Sequence, residues 1–214
     1  NQYIENCQVL LQNAKPDNNL LLYFPINDPW TNFGGDVLLM LEIHHFDKWF
    51  SNTSFGEIAN LLWNNGYSFD YISDRQIEQL KTDSLNHVFI SDDSKYQTIL
   101  VPAVEYIPES TMEEFKRLAN KGVKIIFSDH LPKHYSGLKA RQSTIIPVVD
   151  QNELKVSENV LIELKALNTP CEELKGKGLD FIRKTNSHGS LYFISNLNNR
   201  FSADTVQLAS NYEY

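Results

Sequence analysis

The chain has 214 residues, of which 42% are hydrophobic and 12% aromatic, with a formal net charge of −8. This length and apolar content describe a globular chain with a sizeable buried core, and they exclude a disordered one. Without a Lys/Arg cluster to neutralise phosphates, a nucleic-acid partner is excluded, and no apolar run is long enough to span a bilayer.

Residues 2–14 place apolar side chains at helical spacing and end at Lys15-Pro16, which predicts an amphipathic helix. Cys7 falls on the same stripe as Ile4, Leu11 and Ala14, so it is expected to fill a buried face. Cys171 lies far away and neither cysteine has a CxxC partner, so no metal or redox motif is present. A helical pattern already under way at Asn1, with no signal-peptide pattern, gives the expectation of a piece from a longer chain.

"NNLLLYF" follows, an apolar run of the kind shown by a parallel strand buried on both faces. From its carboxyl end runs an arm over 25–53, "PINDPWTNFGGDVLLMLEIHHFDKWFSNT". Open α/β sheets place their ligand crevice at that edge, and so long a connection is functional or disordered by base rate. Its aromatic content argues against disorder. Asp28, Trp30, His44, His45, Asp47 and Trp49 are the candidate site residues, either touching a substrate or docking the arm on a neighbouring domain. Aromatic faces with carboxylates and imidazoles suit a sugar; burial of the same aromatics against another domain, or a local flap, is the structural alternative. The His44-His45 pair is weak as a metal site, because adjacent side chains diverge and no third ligand is spaced to join them.

Residues 54–65 predict the second helix, with Ser54 and Glu57 at capping-box spacing and Gly66 as its stop. "YSFDYI" is the next strand. Ser73, Asp74 and Arg75 just past it could be chemistry at a strand end. The stronger reading is a third Ser-x-x-Gln/Glu box, Ser73 with Gln76, ahead of Ile77 and Leu80, with Asp74 suited to the positive end of the helix dipole. A strand over 97–102, a helix over 108–120 with Ser110 and Glu113 at box spacing, a stop at Gly122 and the strand "VKIIFS" complete the regular part. "VSENVLIELKAL" reads as a helix, and residues 178–196 as a hairpin turning at "TNSHG".

Alternating strands and helices with doubly buried strands predict a doubly wound, mainly parallel α/β sheet with helices on both faces, followed by a C-terminal β-hairpin region. GxGxxG, P-loop, HExxH and GxSxG motifs are missing. A glutamine-amidotransferase-like sheet would need a cysteine on a strand-to-helix elbow for that chemistry. Cys7 sits in the first helix and Cys171 follows Thr169-Pro170, so neither fits.

"YIENCQVLLQNAKPDNNLLLYFP" resembles the junction in glycosidases where the last helix of a catalytic barrel feeds a flavodoxin-like domain. With "PINDPW", "FDKWF", "LWNNGYSFDYISDRQI" and "LYFISN", nearly the whole chain is similar to α-L-rhamnosidases of glycoside hydrolase family 106. The resemblance implies residues 1–15 as a helix continuing from an upstream catalytic domain, 16–172 as a flavodoxin-like domain, and 173–214 as a β-rich segment beginning a further β element. It implies a non-catalytic portion of a secreted or periplasmic enzyme that removes L-rhamnose from plant-type glycans. Its partners would be the catalytic barrel of the same parent and the parent's glycan. The carboxylate pair such hydrolysis needs would lie on that barrel, and the resemblance implies calcium for the parent enzyme. No catalytic residue and no calcium ligand carries over, and no cofactor is expected in this chain. The alternative is a stand-alone carbohydrate-binding or structural module.

Overall fold

The computed structural model describes residues 2–32, 50–90, 94–137, 146, 154–197 and 205–209. Its centre is a five-stranded parallel sheet, and two short pairs lie outside it, β4 (Lys81–Thr82) with β5 (Val88–Phe89) and β7 (Tyr106–Pro108) with β9 (His134–Ser136). In chain order the sheet uses β2 (Leu20–Tyr23), β3 (Phe69–Ile72), β6 (Thr98–Val101), β8 (Lys124–Ser128) and β10 (Lys155–Ser157), and across it they lie β10-β8-β6-β2-β3. The first strand therefore sits between the second and the third, a doubly wound order with its switch point between β2 and β6.

β2 has no polar alternation because both of its faces are covered. Leu20 and Leu22 pack with Phe55, Ile58 and Leu62 of α3 (Ser54–Asn64) and with Val160 and Leu164 of α6 (Val160–Ala166). Leu21 and Tyr23 pack on the opposite face with Ile77 of α4 (Asp74–Ile77) and with Met112, Phe115 and Leu118 of α5 (Glu109–Asn120). Those positions recur every third or fourth residue along α3 and α5, which is why both segments are helical. The predicted doubly wound sheet with helices on both faces is thus what the chain adopts, together with the C-terminal hairpin.

Two capping assignments need correction. The cap of α3 is Thr53, whose hydroxyl accepts from Gly56 N at 3.4 Å, while the Ser54 hydroxyl accepts from Ala103 N at 2.9 Å. α5 begins directly after Pro108 with no side-chain cap, so Ser110 lies inside the helix. Proline, with φ already at −59°, leads into the helix unaided. The Ser73–Gln76 box is present: Gln76 Oε1 accepts from Ser73 N at 3.0 Å and from Ser73 Oγ at 2.8 Å. Cys7 is also corrected. α1 (Gln2–Gln12) buries no residue, and Cys7 is only partly covered.

The hairpin joins β11 (Asp180–Asn186) to β12 (Gly189–Ser195) through Ser187 and His188. β11 also pairs antiparallel with β1 (Lys15–Pro16), giving a three-stranded sheet that links chain positions far apart. Arg183 of β11, only 4% exposed, fastens this sheet to the α/β body. Its guanidinium donates to Asp17 O at 2.9 and 2.7 Å, to Glu172 Oε1 at 2.9 Å and to Asn19 Oδ1. Glu172, 3% exposed, also accepts from Tyr192 OH at 2.8 Å and Ala209 N at 2.9 Å. Close approach makes this joint possible. Gly66 has φ +78°, and a Cβ there would lie 2.0 Å from Glu172 O.

Removing one partner of a buried ion pair leaves an uncompensated charge, at about 3–5 kcal/mol. Glu172→Ala should lower the urea unfolding free energy by that order, and Gly66→Ala should also destabilise through strain and backbone overlap. A Glu172→Ala loss below about 1 kcal/mol would show that the joint is peripheral.

Candidate functional site at the carboxyl edge of the sheet

The switch point opens between the segments that leave β2 and β6. α2 (Asn27–Asn32) begins just past β2 and supplies Asn27, Asp28 and Trp30. Asp28 Oδ1 accepts from Glu105 N and Tyr106 N, both at 2.8 Å, and so ties the segment after β6 to the arm. Trp30 is 53% exposed. Asp28 and Trp30 therefore share one short helix at the predicted crevice; His44, His45, Asp47 and Trp49 lie outside the described residues.

Asp74 has a larger role than a favourable charge at a helix start. Its Oδ1 accepts from Tyr23 OH at 2.7 Å and Thr111 Oγ1 at 2.6 Å, and its Oδ2 from Asn27 Nδ2 at 3.0 Å. One carboxylate thus links the ends of β2 and β3 to α2 and α5. Tyr23 and Thr111 are fully buried. Burial, together with the neighbouring Asp74 carboxylate, pushes the Tyr23 phenol far above its ordinary range, so it remains a donor. Reading Asp74 only against the helix dipole missed this hub. The available signal was a tyrosine closing an otherwise apolar strand, whose buried hydroxyl must find a partner.

Beside Asp28 lies a charged cluster. Lys133 Nζ donates to Glu105 Oε1 at 2.9 Å, His130 Nε2 is 3.9 Å from the same oxygen, and Tyr106 stacks on His134 with centroids 5.2 Å apart. The hydrogen bond from Lys133 outweighs desolvation and, with the nearby imidazoles, holds the Glu105 carboxyl below its ordinary range. Among the described residues no group of three or more His, Cys, Asp or Glu could hold a metal ion. No helix among them is long and apolar enough to cross a membrane.

A second concavity lies at the other end of the body. A groove of about 430 Å³ runs between β3, at the edge of the parallel sheet, and β11 of the hairpin.

No protein-family model and no curated protein matches the sequence. Among solved structures, a rhamnosidase from Novosphingobium sp. PP1Y is similar, with a TM-score of 0.55 and 13% identity over 91% of this chain and 18% of that one. An apo exo-carrageenase GH42 from Bacteroides ovatus follows, with a TM-score of 0.43 and 10% identity over 79% of this chain and 19% of the other. This chain thus spans less than a fifth of the length of either neighbour. At such identity the likeness to the rhamnosidase is one of fold: the arrangement seen here also occurs inside a glycoside hydrolase.

Asp74→Ala should leave the buried Tyr23 and Thr111 hydroxyls unpaired, at roughly 1–3 kcal/mol each. Ser73→Ala, on an exposed one-turn helix, should fall at the low end of the roughly 0.5–2 kcal/mol of a lost cap. Urea unfolding of both variants tests the ranking, and equal losses would contradict the hub. For Glu105 the folded carboxyl titrates below its unfolded value. Its stabilisation is therefore complete above the unfolded pKa and is lost as pH falls through the folded one. An NMR titration should show the Glu105 midpoint rising in Lys133→Met; an unmoved midpoint would remove Lys133 as the cause.

Proposed function

We propose that this chain is a non-catalytic accessory region of a larger glycoside hydrolase of the α-L-rhamnosidase kind, packed against its catalytic barrel. The observation that carries this reading is the asymmetry of the structural match, which takes in 91% of this chain but 18% of the rhamnosidase. Two features support it. Among the described residues, Asp28 and Asp74 at the switch point serve the fold, because Asp28 ties two loops and Asp74 takes three donors. A hydrolytic pair needs carboxylates free to face a scissile bond.

α1 supplies the second support. It exposes Tyr3 at 66%, Ile4 at 50%, Val9 at 60% and Leu10 at 57%, and buries nothing. Isolated helices of this length are marginal in water and gain their stability from a packed face. In the proposed assembly the barrel covers the side of α1 that carries Tyr3 and Leu10. Calcium, implied for the parent alone, belongs in this reading to the barrel, and the whole enzyme acts on plant-type glycans outside the cytoplasm.

Two measurements test the proposal. The purified 214-residue chain, given an aryl α-L-rhamnoside, should stay at background; turnover that survives repurification would contradict a non-catalytic role. Leu10→Asp should change the stability of the isolated chain by no more than about 0.5 kcal/mol, as exposed positions do. In a longer protein carrying the barrel it should lower the unfolding midpoint. No effect there would remove α1 as the docking face.

A further inference from the structure

The groove between β3 and β11 has no part in the docking face or in the switch point. We propose that it is a binding site for a neutral saccharide, an inference that rests on the glycoside-hydrolase reading for its choice of ligand class.

The edge of β3 defines one wall. Asn19 N donates to Ser68 O and Phe24 N to Ile72 O, so the even-numbered residues of this strand turn their backbone groups toward β2. By strand alternation Phe69 and Tyr71 turn theirs the other way, to the free edge. The Asn18 side-chain amide covers the Phe69 carbonyl at 3.4 Å. Strand addition by a peptide would need that carbonyl, so the edge is blunted against it.

The side chains suit a sugar. Tyr71 is 51% exposed and offers a flat apolar surface. Trp63 forms a rigid side of the groove, stacked on Phe181 at 6.0 Å and 12° with Lys175 Nζ 4.6 Å from its ring centre. Asn18 donates through Nδ2 to Phe69 O, and Asp70 accepts Tyr96 OH on Oδ2 at 2.8 Å. Among the described residues the Asn18 amide oxygen Oδ1 and the Asp70 Oδ1 have no hydrogen-bond partner.

An amide oxygen beside aromatic faces, with a carboxylate across the strand edge, matches the hydroxyl donors and C–H faces of a pyranose. The cations of the groove are already engaged, Arg183 by Glu172, Asp17 and Asn19, and Lys184 by Leu11 O. The Asp70 carboxylate at the groove disfavours an anionic ligand, and the Arg183 charge is met by Glu172. The volume, about 430 Å³, lies inside the usual range for small-molecule sites.

The test is amide NMR on the 214-residue chain, titrated separately with L-rhamnose, D-galactose, D-glucuronate and an extended Thr-Val repeat peptide. At least one neutral sugar should shift the Phe69 and Tyr71 amides at millimolar concentration. Tyr71→Ala, at an exposed position, should weaken that binding about fivefold or more. Lack of any shift with both neutral sugars, shifts confined to another surface, or unchanged affinity in Tyr71→Ala would each overturn the site. Stronger binding of glucuronate would overturn the neutral class, and peptide binding at these amides in place of sugar would make the groove a strand-addition edge. The experiment needs no barrel, so its failure leaves the accessory reading standing, and failure of the α1 test leaves this one standing.

Discussion

A guanidinium and a carboxylate buried side by side hold together segments of this chain that lie up to 166 residues apart. Desolvating Arg183 and Glu172 carries a penalty of several kcal/mol per ion, recovered only if nearly every donor and acceptor finds a partner. The structure meets that condition with Asp17, Asn19, Tyr192 and the Ala209 amide. The ion pair thereby joins the segment entering β2, the turn after α6 and the hairpin. Arg183 also lines the groove between β3 and β11.

The opposite end of the sheet shows similar economy with polar groups. Doubly wound sheets gather loop residues at the carboxyl ends of their strands, and enzymes of this architecture place their chemistry there. Here Asp28 and Asp74 are engaged in holding the loops. Glu105 remains more exposed, but it is flanked by Lys133 and His130 and lacks a second carboxylate contact among the described residues.

Much of the architecture was legible in the sequence because it rests on strong local signals. The run "LLLY" has no alternation, and only a strand covered on both faces requires that. Val156 and Ser157, expected to open a helix, lie instead in β10, because "KVS" carries no pattern of its own and is a strand only by pairing with β8; the helix starts at Val160. Three serines shared one capping spacing, yet Ser73 alone lies at its helix boundary as expected; Pro108 and Thr53 decide the other two. Asp28 was legible at the crevice, but its engagement by two backbone amides was not, since these come from residues 77 and 78 positions later. The burial of Arg183 was equally invisible, because a hairpin arginine ordinarily faces water.

In the proposed assembly α1 is the seat for a catalytic domain. Hydrogen–deuterium exchange across residues 2–12, compared between the isolated chain and a longer protein containing the barrel, tests it most directly. Exchange in α1 should be fast in the isolated chain and strongly slowed in the longer protein, with the central strand β2 protected in both. Equal exchange of α1 in the two would contradict it.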